Sequence, residues 1–320
     1  MVDKSLIQQE IAKTLSATDF PALGEKLTGK VRDSYVKNGR RLIITTDRIS
    51  AFDRVLGTLP FKGQVLNRVA AFWFEKTKDL VPNHVVGNPD PQVMEVLDCE
   101  PMPVEMVVRA YLTGSTSTSI WTHYEKGGRL FCGNPLKDGM KKHQKLDEVI
   151  LTPSTKAEHG DHDVSCSREE ILAMGRISTE DFDLMAKMSF ELFRFGQEHC
   201  AKQGLILVDT KYEFGRTKEG QIVVIDEVHT PDSSRFWQQS SYEAAFATGN
   251  TPEGLDKEYV RTWLKNEHGF MGDGDIPFIP DDVRVEAAGR YIQACEQVTG
   301  ETFVPDTEAP AARIARNLGI

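Results

Sequence analysis

Asp209, Lys211 and Glu213 stand two residues apart within Leu205–Gly215, and Asp226 ends a second apolar run, Ile222-Val-Val-Ile225. Side chains two apart on a strand share a face, so the first three point the same way. Thr217-Lys218-Glu219-Gly220 supplies turn chemistry between the runs, and a hairpin would return Asp226 to the neighbourhood of Glu213. Carboxylates gathered at strand ends are costly unless a cation joins them. A hard divalent ion such as Mg²⁺, shared with phosphate oxygens, does this. A surface hairpin with solvated charges is the competing explanation, and the ordinary one for an isolated pair of acids. Charges alternating with Val, Ile and Phe, followed at once by Asp232-Ser233-Ser234-Arg235, favour a site. Register is the check: the two acids share a face only if Glu213 lies opposite an even-numbered residue such as Val224 or Asp226.

Basic groups that could meet phosphate or carboxylate recur upstream. Gly29-Lys30-Val31-Arg32-Asp33-Ser34 joins a loop to a strand, with glycine permitting close backbone approach and two cations beside it. It matches neither a Gly-x-Gly-x-x-Gly nor a P-loop pattern, and a basic surface turn explains it equally well. Thr46–Asp53 packs acid, base and hydroxyl groups together, and Pro60–Asn67 opens a helix with Lys62, whose charge either caps that end in solvent or meets an anion. Arg109 lies in the apolar β run Val104–Ser115; it needs a partner, either an internal acid or an anionic ligand. Gly114-Ser115 at an expected helix start offers free N–H groups and a hydroxyl. Thr152–Asp163 contains Ser154, Thr155, Lys156 and two histidines without zinc spacing, which fits a loop closing over a substrate better than a metal centre. No serine or cysteine sits in a nucleophile-triad context.

The elements that must hold these groups read as follows. Residues 1–20 carry apolar spacing for a short amphipathic helix. Lys30–Val36, Arg41–Thr46, Val85–Val86, Gln92–Leu97 and Val104–Tyr111 read as strands, interrupted by a helix over Gln64–Leu80. Pro101-Met102-Pro103 reads as a rigid connector before the last of them. Ser115–Glu125 reads as helix, residues 132–166 as a long functional loop, Ser167 with Glu170 as a capping box, and Thr179–Lys202 as a long helix stopped by Gly204. Leu255–Glu267, Asp282–Val298 and a segment from Ala309 complete the helices. The expected division is a β-rich N-terminal lobe, 1–114, and a mixed α/β C-terminal lobe, 115–320, with a nucleotide site in the cleft between them.

A chain of 320 residues buries a substantial core. Net charge of −10 argues against a general nucleic-acid binder, so anionic small molecules must be met by local cations. Five scattered cysteines without Cys-x-x-Cys pairing point to reduced thiols in a cytoplasm. No apolar run is long enough for a bilayer, and the start lacks a secretory apolar core. Monomer and homodimer are both open.

Six ordered blocks then carry a resemblance: Gly29–Asp33, Asp47–Asp53, Pro60–Asn67, Val108–Ser115, Leu205–Gly215 and Ile225–Trp237. Together they resemble the SAICAR synthetase family, ligases of de novo purine biosynthesis. The resemblance implies an α+β, two-lobed fold with a kinase-like or ATP-grasp-like nucleotide cleft. It implies an ATP-dependent carbon–nitrogen ligase that joins a carboxyaminoimidazole ribonucleotide (CAIR) to L-aspartate, with Mg²⁺. Gly29, Lys30, Val31 and Arg32 would then cover the ATP phosphates, and the connector with Met102 and Glu105 would lie beside the adenine. Glu213 and Asp226 would hold the metal beside Lys211. Arg109, Ser115, Asp232, Ser233 and Arg235 would bind the ribonucleotide, with Lys156 closing over it and Asp53 near its ring. A small-molecule kinase and a non-enzymatic ATP-binding module are the alternatives; the first lacks a His-Arg-Asp loop and the second would not keep both acids.

Overall fold

The computed structural model describes residues 2–116, 119–156 and 164–320. Its order is α1 (Lys4–Gln9), β1 (Glu25–Thr28), β2 (Arg32–Lys37), β3 (Arg40–Thr45), β4 (Arg48–Ala51), β5 (Arg54–Thr58), α2 (Lys62–Thr77), β6 (Val85–Asp90), β7 (Val93–Leu97) and β8 (Glu100–Tyr111). There follow α3 (Ile120–Glu125), β9 (Leu130–Phe131), β10 (Asn134–Pro135), β11 (Lys145–Leu151), β12 (Ser154–Thr155), α4 (Arg168–Ala173) and α5 (Thr179–Lys202). The chain ends with β13 (Leu205–Arg216), β14 (Ile222–Ile225), β15 (Ser234–Gln238), α6 (Gln239–Thr248), α7 (Glu258–His268), α8 (Asp281–Thr299) and α9 (Pro310–Leu318). Among the described residues no helix is long and apolar enough to cross a membrane.

Two antiparallel sheets carry the α+β architecture. The first has strand order β1-β2-β3-β7-β6; the second runs β11-β8-β13-β14, with β12 also on β8 and β15 also on β13. Strand β8 is therefore part of the second sheet, and a lobe boundary at 114 cuts that sheet. We propose the boundary at Asp98–Cys99 instead. A bridge between Asn83 and Val224 ties the sheets together, and α8 returns to pack on α1 and α2.

Alternation explains how β8 and β13 serve two masters. Val104, Met106, Val108, Thr210, Tyr212 and Phe214 are buried, while Glu105, Val107, Arg109, Lys211 and Glu213 are half-buried on the other side. Helix α5 packs on both strands. Its start is fixed by Ser178, which accepts the Asp181 N–H at 3.1 Å, and its end by Gly204 with φ +71°.

Several expectations need correction. Helix α1 is short because the chain after Thr14 is captured elsewhere: Leu15 N–H donates to Asp47 at 2.7 Å and Thr18 N–H to Asp33 at 2.9 Å. Pro101-Met102-Pro103 is not a connector but the first part of β8, where the ladder to β13 is irregular between Glu213 and Gly215 and a missing N–H is tolerated. The segment 132–166 is no plain loop, since β11 pairs with β8; its residues 157–163, with His159 and His162, lie outside the described residues. Helix α3 starts at Ile120 behind the cap Ser119, so Ser115 is not at a helix start.

Candidate active site

Cross-strand register assembles the site from three strands. Asp209 lies opposite Arg109 on one side and Arg235 on the other, and Glu213 lies opposite Glu105. Lys211 donates to Glu105 at 2.9 Å and also to Glu213, which Lys156 contacts as well. Thus Lys211, Glu213, Glu105 and Lys156 form one charge cluster on the open face of β13.

Asp226 reaches this cluster by a route that strand parity does not foresee. Glu213 lies opposite Ile225, an odd-numbered residue. Had the strand continued, Asp226 would point to the other face. Instead β14 stops at Ile225 and Asp226 takes φ +66°, a left-handed conformation that aspartate tolerates. The turn swings its carboxylate back, and Asp226 and Glu213 line the same two cavities. Burial pushes the Asp226 carboxyl up to about 6; Arg32 opposes this, while Glu213 and Glu227 add to it. Burial also disfavours ionised Glu213, but Lys211 and Lys156 outweigh it and hold that carboxyl below its usual range. For Lys211, burial favours the neutral form, yet Glu213, Glu105 and Asp226 keep it charged.

Three cavities adjoin along this face. The first, about 320 Å³, is walled by Leu27, Ile43, Leu97, Cys99, Pro101 and Ile225 and carries Arg32, Glu213 and Asp226. The second, about 430 Å³, shares Gly29, Arg32, Glu213 and Asp226 with it and adds Lys30, Val31, Asp53, Glu105 and Lys211. The third, about 300 Å³, shares Lys211 and Asp232 with the second and adds Arg109, Ser115, Ser233 and Arg235. Apolar walls at one end, mixed charge in the middle and two arginines at the other make one trough.

Most residues expected at the site are brought together there. Two are placed differently from the expectation. Met102 turns its side chain into the core on the buried parity of β8, and Pro101 forms the wall. Glu105 sits in the charge cluster, away from the apolar end. The loop cations are paired within the chain: Arg32 with Asp226 at 3.1 Å and Glu227 at 2.6 Å, and Lys30 with Asp53. Asp232 accepts from Lys62 at 2.7 Å and Tyr291 at 2.6 Å, so Lys62 meets a protein carboxylate. Arg109 donates to Thr152 at 2.9 Å and reaches Asp209 at 3.4 Å. An internal acid and an exposed cavity wall are therefore both true of it. Ser115 donates to Glu258 at 2.6 Å.

Sequence reasoning passed over Glu227, Lys257 and Arg261, which all line the middle cavity. The last two stand four apart on a helix that the periodicity did expose, and their shared face was the signal. It also passed over Arg48, whose guanidinium holds the carbonyls of Gly29 and Lys30, each at 2.9 Å, and so shapes the loop.

The SAICAR synthetase family profile matches residues 25–273. The chain belongs to the SAICAR synthetase family. It is 47% identical over 293 residues to the phosphoribosylaminoimidazole-succinocarboxamide synthase of Legionella pneumophila (strain Lens), spanning 92% of this chain and 93% of that one. The chloroplastic enzyme of Arabidopsis thaliana is 47% identical over 317 residues, 97% of this chain and 77% of the relative. Among solved structures, SAICAR synthase from Saccharomyces cerevisiae complexed with SAICAR superposes with TM-score 0.77 at 30% identity, over 91% of this chain and 100% of that one. This family member is an enzyme, a ligase of purine biosynthesis.

Proposed function

We propose that this ligase couples CAIR to L-aspartate, consuming ATP and releasing ADP and phosphate through an acyl-phosphate intermediate. The observation that carries the reading is the shared wall of the first two cavities, where Glu213 and Asp226 meet Gly29 and Arg32. The adenine takes the apolar end between Leu27, Ile43 and Pro101. The loop Gly29–Arg32, held open by Arg48, covers the phosphates with backbone N–H groups and two cations. At the far end three arginines, Arg109, Arg235 and Arg261, share two carboxylates, Asp209 and Glu258, and the net positive charge left over receives the ribonucleotide's phosphate, with Ser115 and Ser233 beside it.

The donor set at Glu213 and Asp226 fits Mg²⁺: two carboxylates share one cavity wall, and the burial of Asp226 is not fully offset by Arg32 and Lys211. When bound there, the ion neutralises charge on the phosphates. Arg32 pairs with Asp226 at 3.1 Å. The same charges are complementary to a metal–phosphate pair, the cation to phosphate and the acid to metal.

A carboxylate is a poor electrophile. In the first step a CAIR carboxylate oxygen bonds to the γ-phosphorus as the bond to the β–γ bridging oxygen breaks, and ADP leaves with that electron pair. In the second, the amino nitrogen of L-aspartate bonds to the activated carbon, phosphate leaves with the C–O pair, and the amine gives up a proton. No side chain forms a covalent bond, so positioning and charge neutralisation supply the rate. CAIR labelled with ¹⁸O in its carboxylate tests this: labelled phosphate is expected, and unlabelled phosphate removes the acyl phosphate.

A further inference from the structure

One cation in this trough lacks what every other cation there has, and its neighbour Arg261 is only partly satisfied. Lys211, Lys156, Arg32, Lys62, Arg109 and Arg235 each hold a carboxylate. Among the described residues Lys257 makes neither an ion pair nor a hydrogen bond, and the Nε of Arg261 is buried without a partner. The acids nearby are taken. Asp232 is held by Lys62 and Tyr291, and Glu227 by Arg32 and Thr230. Asp256 accepts the backbone N–H of Phe236 at 3.2 Å and of Glu258 at 2.8 Å. Glu258 takes Ser115 and leaves Arg261 a long 3.4 Å contact.

Placement gives this pair a task. Lys257 and Arg261 stand one helical turn apart and both line the second and third cavities, where the phosphate end of the nucleotide site meets the ribonucleotide site. Arg261 also lines a further cavity of about 670 Å³ that opens beside Ser115 and Arg235, so three spaces meet at its guanidinium. Burial and repulsion from Arg261 push the Lys257 ammonium down to about 8, although Asp232 and Glu227 draw it up. Glu258, 3.4 Å from Arg261, is shared with Ser115 and Arg235, and two like charges so incompletely matched are costly unless an anion completes them.

We propose that Lys257 and Arg261 are the seat for the phosphoryl group in transit, two catalytic cations at the junction of the nucleotide and ribonucleotide cavities. The inference rests on the acyl-phosphate reading above. They contact the non-bridging oxygens as the phosphorus changes partners, and neither side chain gains or loses a bond. The anionic carboxylate of L-aspartate is the rival occupant.

Steady-state kinetics of Lys257→Met, with ¹⁸O transfer followed in the same preparations, separates these. The expected result is a fall in kcat of about 100-fold, KM values for both CAIR and L-aspartate within about threefold of the parent, and partial recovery in Lys257→Arg. The melting temperature should change little, because the ammonium makes no ion pair and its attraction to Asp232 and Glu227 is outweighed by its own burial and by Arg261. An unchanged kcat, or a tenfold rise in KM for L-aspartate with kcat kept, overturns the seat. So does a lowered melting temperature that tracks the lost activity. Absence of ¹⁸O transfer in the parent enzyme would instead overturn the acyl phosphate itself, whatever the variant does.

Discussion

Arg48 is buried and Arg235 half-buried, each with its guanidinium beside an aspartate, and their surroundings differ. Arg48 spends its donors on the protein: the carbonyls of Ser16, Gly29 and Lys30, and Asp33, at 2.7 to 2.9 Å. Asp33 is in turn closed by Thr18 and Lys26. Arg235 shares Asp209 with Arg109, reaches Glu258 only at 3.8 Å, and faces a cavity. A matched network holds shape, whereas an unmatched one waits for a ligand. The same contrast separates Lys62, fully buried against Asp232, from Lys257 beside it.

The largest effect is expected where charge excess is greatest. Asp226→Asn should reduce turnover by about 10³-fold or more, several kcal/mol of lost charge stabilisation, while the circular dichroism spectrum and melting temperature hold; near-normal turnover would remove Asp226 from the metal site. Next comes the closed network. Arg48→Met removes the 2.8 Å partner of buried Asp33, leaving it Lys26 and Thr18, and strips the donor from three carbonyls, which should cost about 3–5 kcal/mol in urea unfolding; a loss below 1 kcal/mol would erase the distinction between the two kinds of arginine. Arg235→Lys should leave unfolding nearly unchanged, since Asp209 keeps Arg109. It should raise KM for CAIR about tenfold as the bidentate fork is lost. A stability loss matching that of Arg48→Met would contradict the comparison.

The smallest effect is a pH dependence set outside the reacting centre. Burial pushes His84 and His229 down to about 3, helped at His84 by Arg41 and Arg32 and at His229 by His199. Between that value and the ordinary imidazole value near 6.5, the unfolded chain binds more protons than the folded one. Stability therefore falls as pH drops through this window. The urea midpoint should be lower at pH 5 than at pH 7; an equal or higher midpoint would show that other groups dominate.

Where local rules dominate, the sequence is read well. The capping box of Ser167 and Glu170 is present, and α5 spans the residues from Thr179 to Lys202 that its periodicity marks. Asp209, Lys211 and Glu213 share a face because strand alternation is local. What escaped is tertiary. Asp226 joins Glu213 through a single left-handed residue at a strand end, against the parity rule, and Asp accepts that conformation without a glycine to announce it. Strand β11 escaped because its pairing to β8 slips between Lys145 and Ile150, which blurs alternation. Lys257 and Arg261 were visible as helix charges, but a helix cannot say which cavity its face meets. Strands β4 and β5 escaped for the opposite reason: their Phe52-Asp53 turn uses positive φ without the usual glycine.

The proposed function needs two acids, one on a strand and one just past its neighbour, to clasp a divalent ion against a triphosphate. Anomalous diffraction from crystals soaked with Mn²⁺, ATP and CAIR locates that ion directly. A peak within bonding distance of both the Glu213 and Asp226 carboxylates and of phosphate oxygen is the predicted result. A peak bound by neither acid, with the nucleotide in place, would contradict the account.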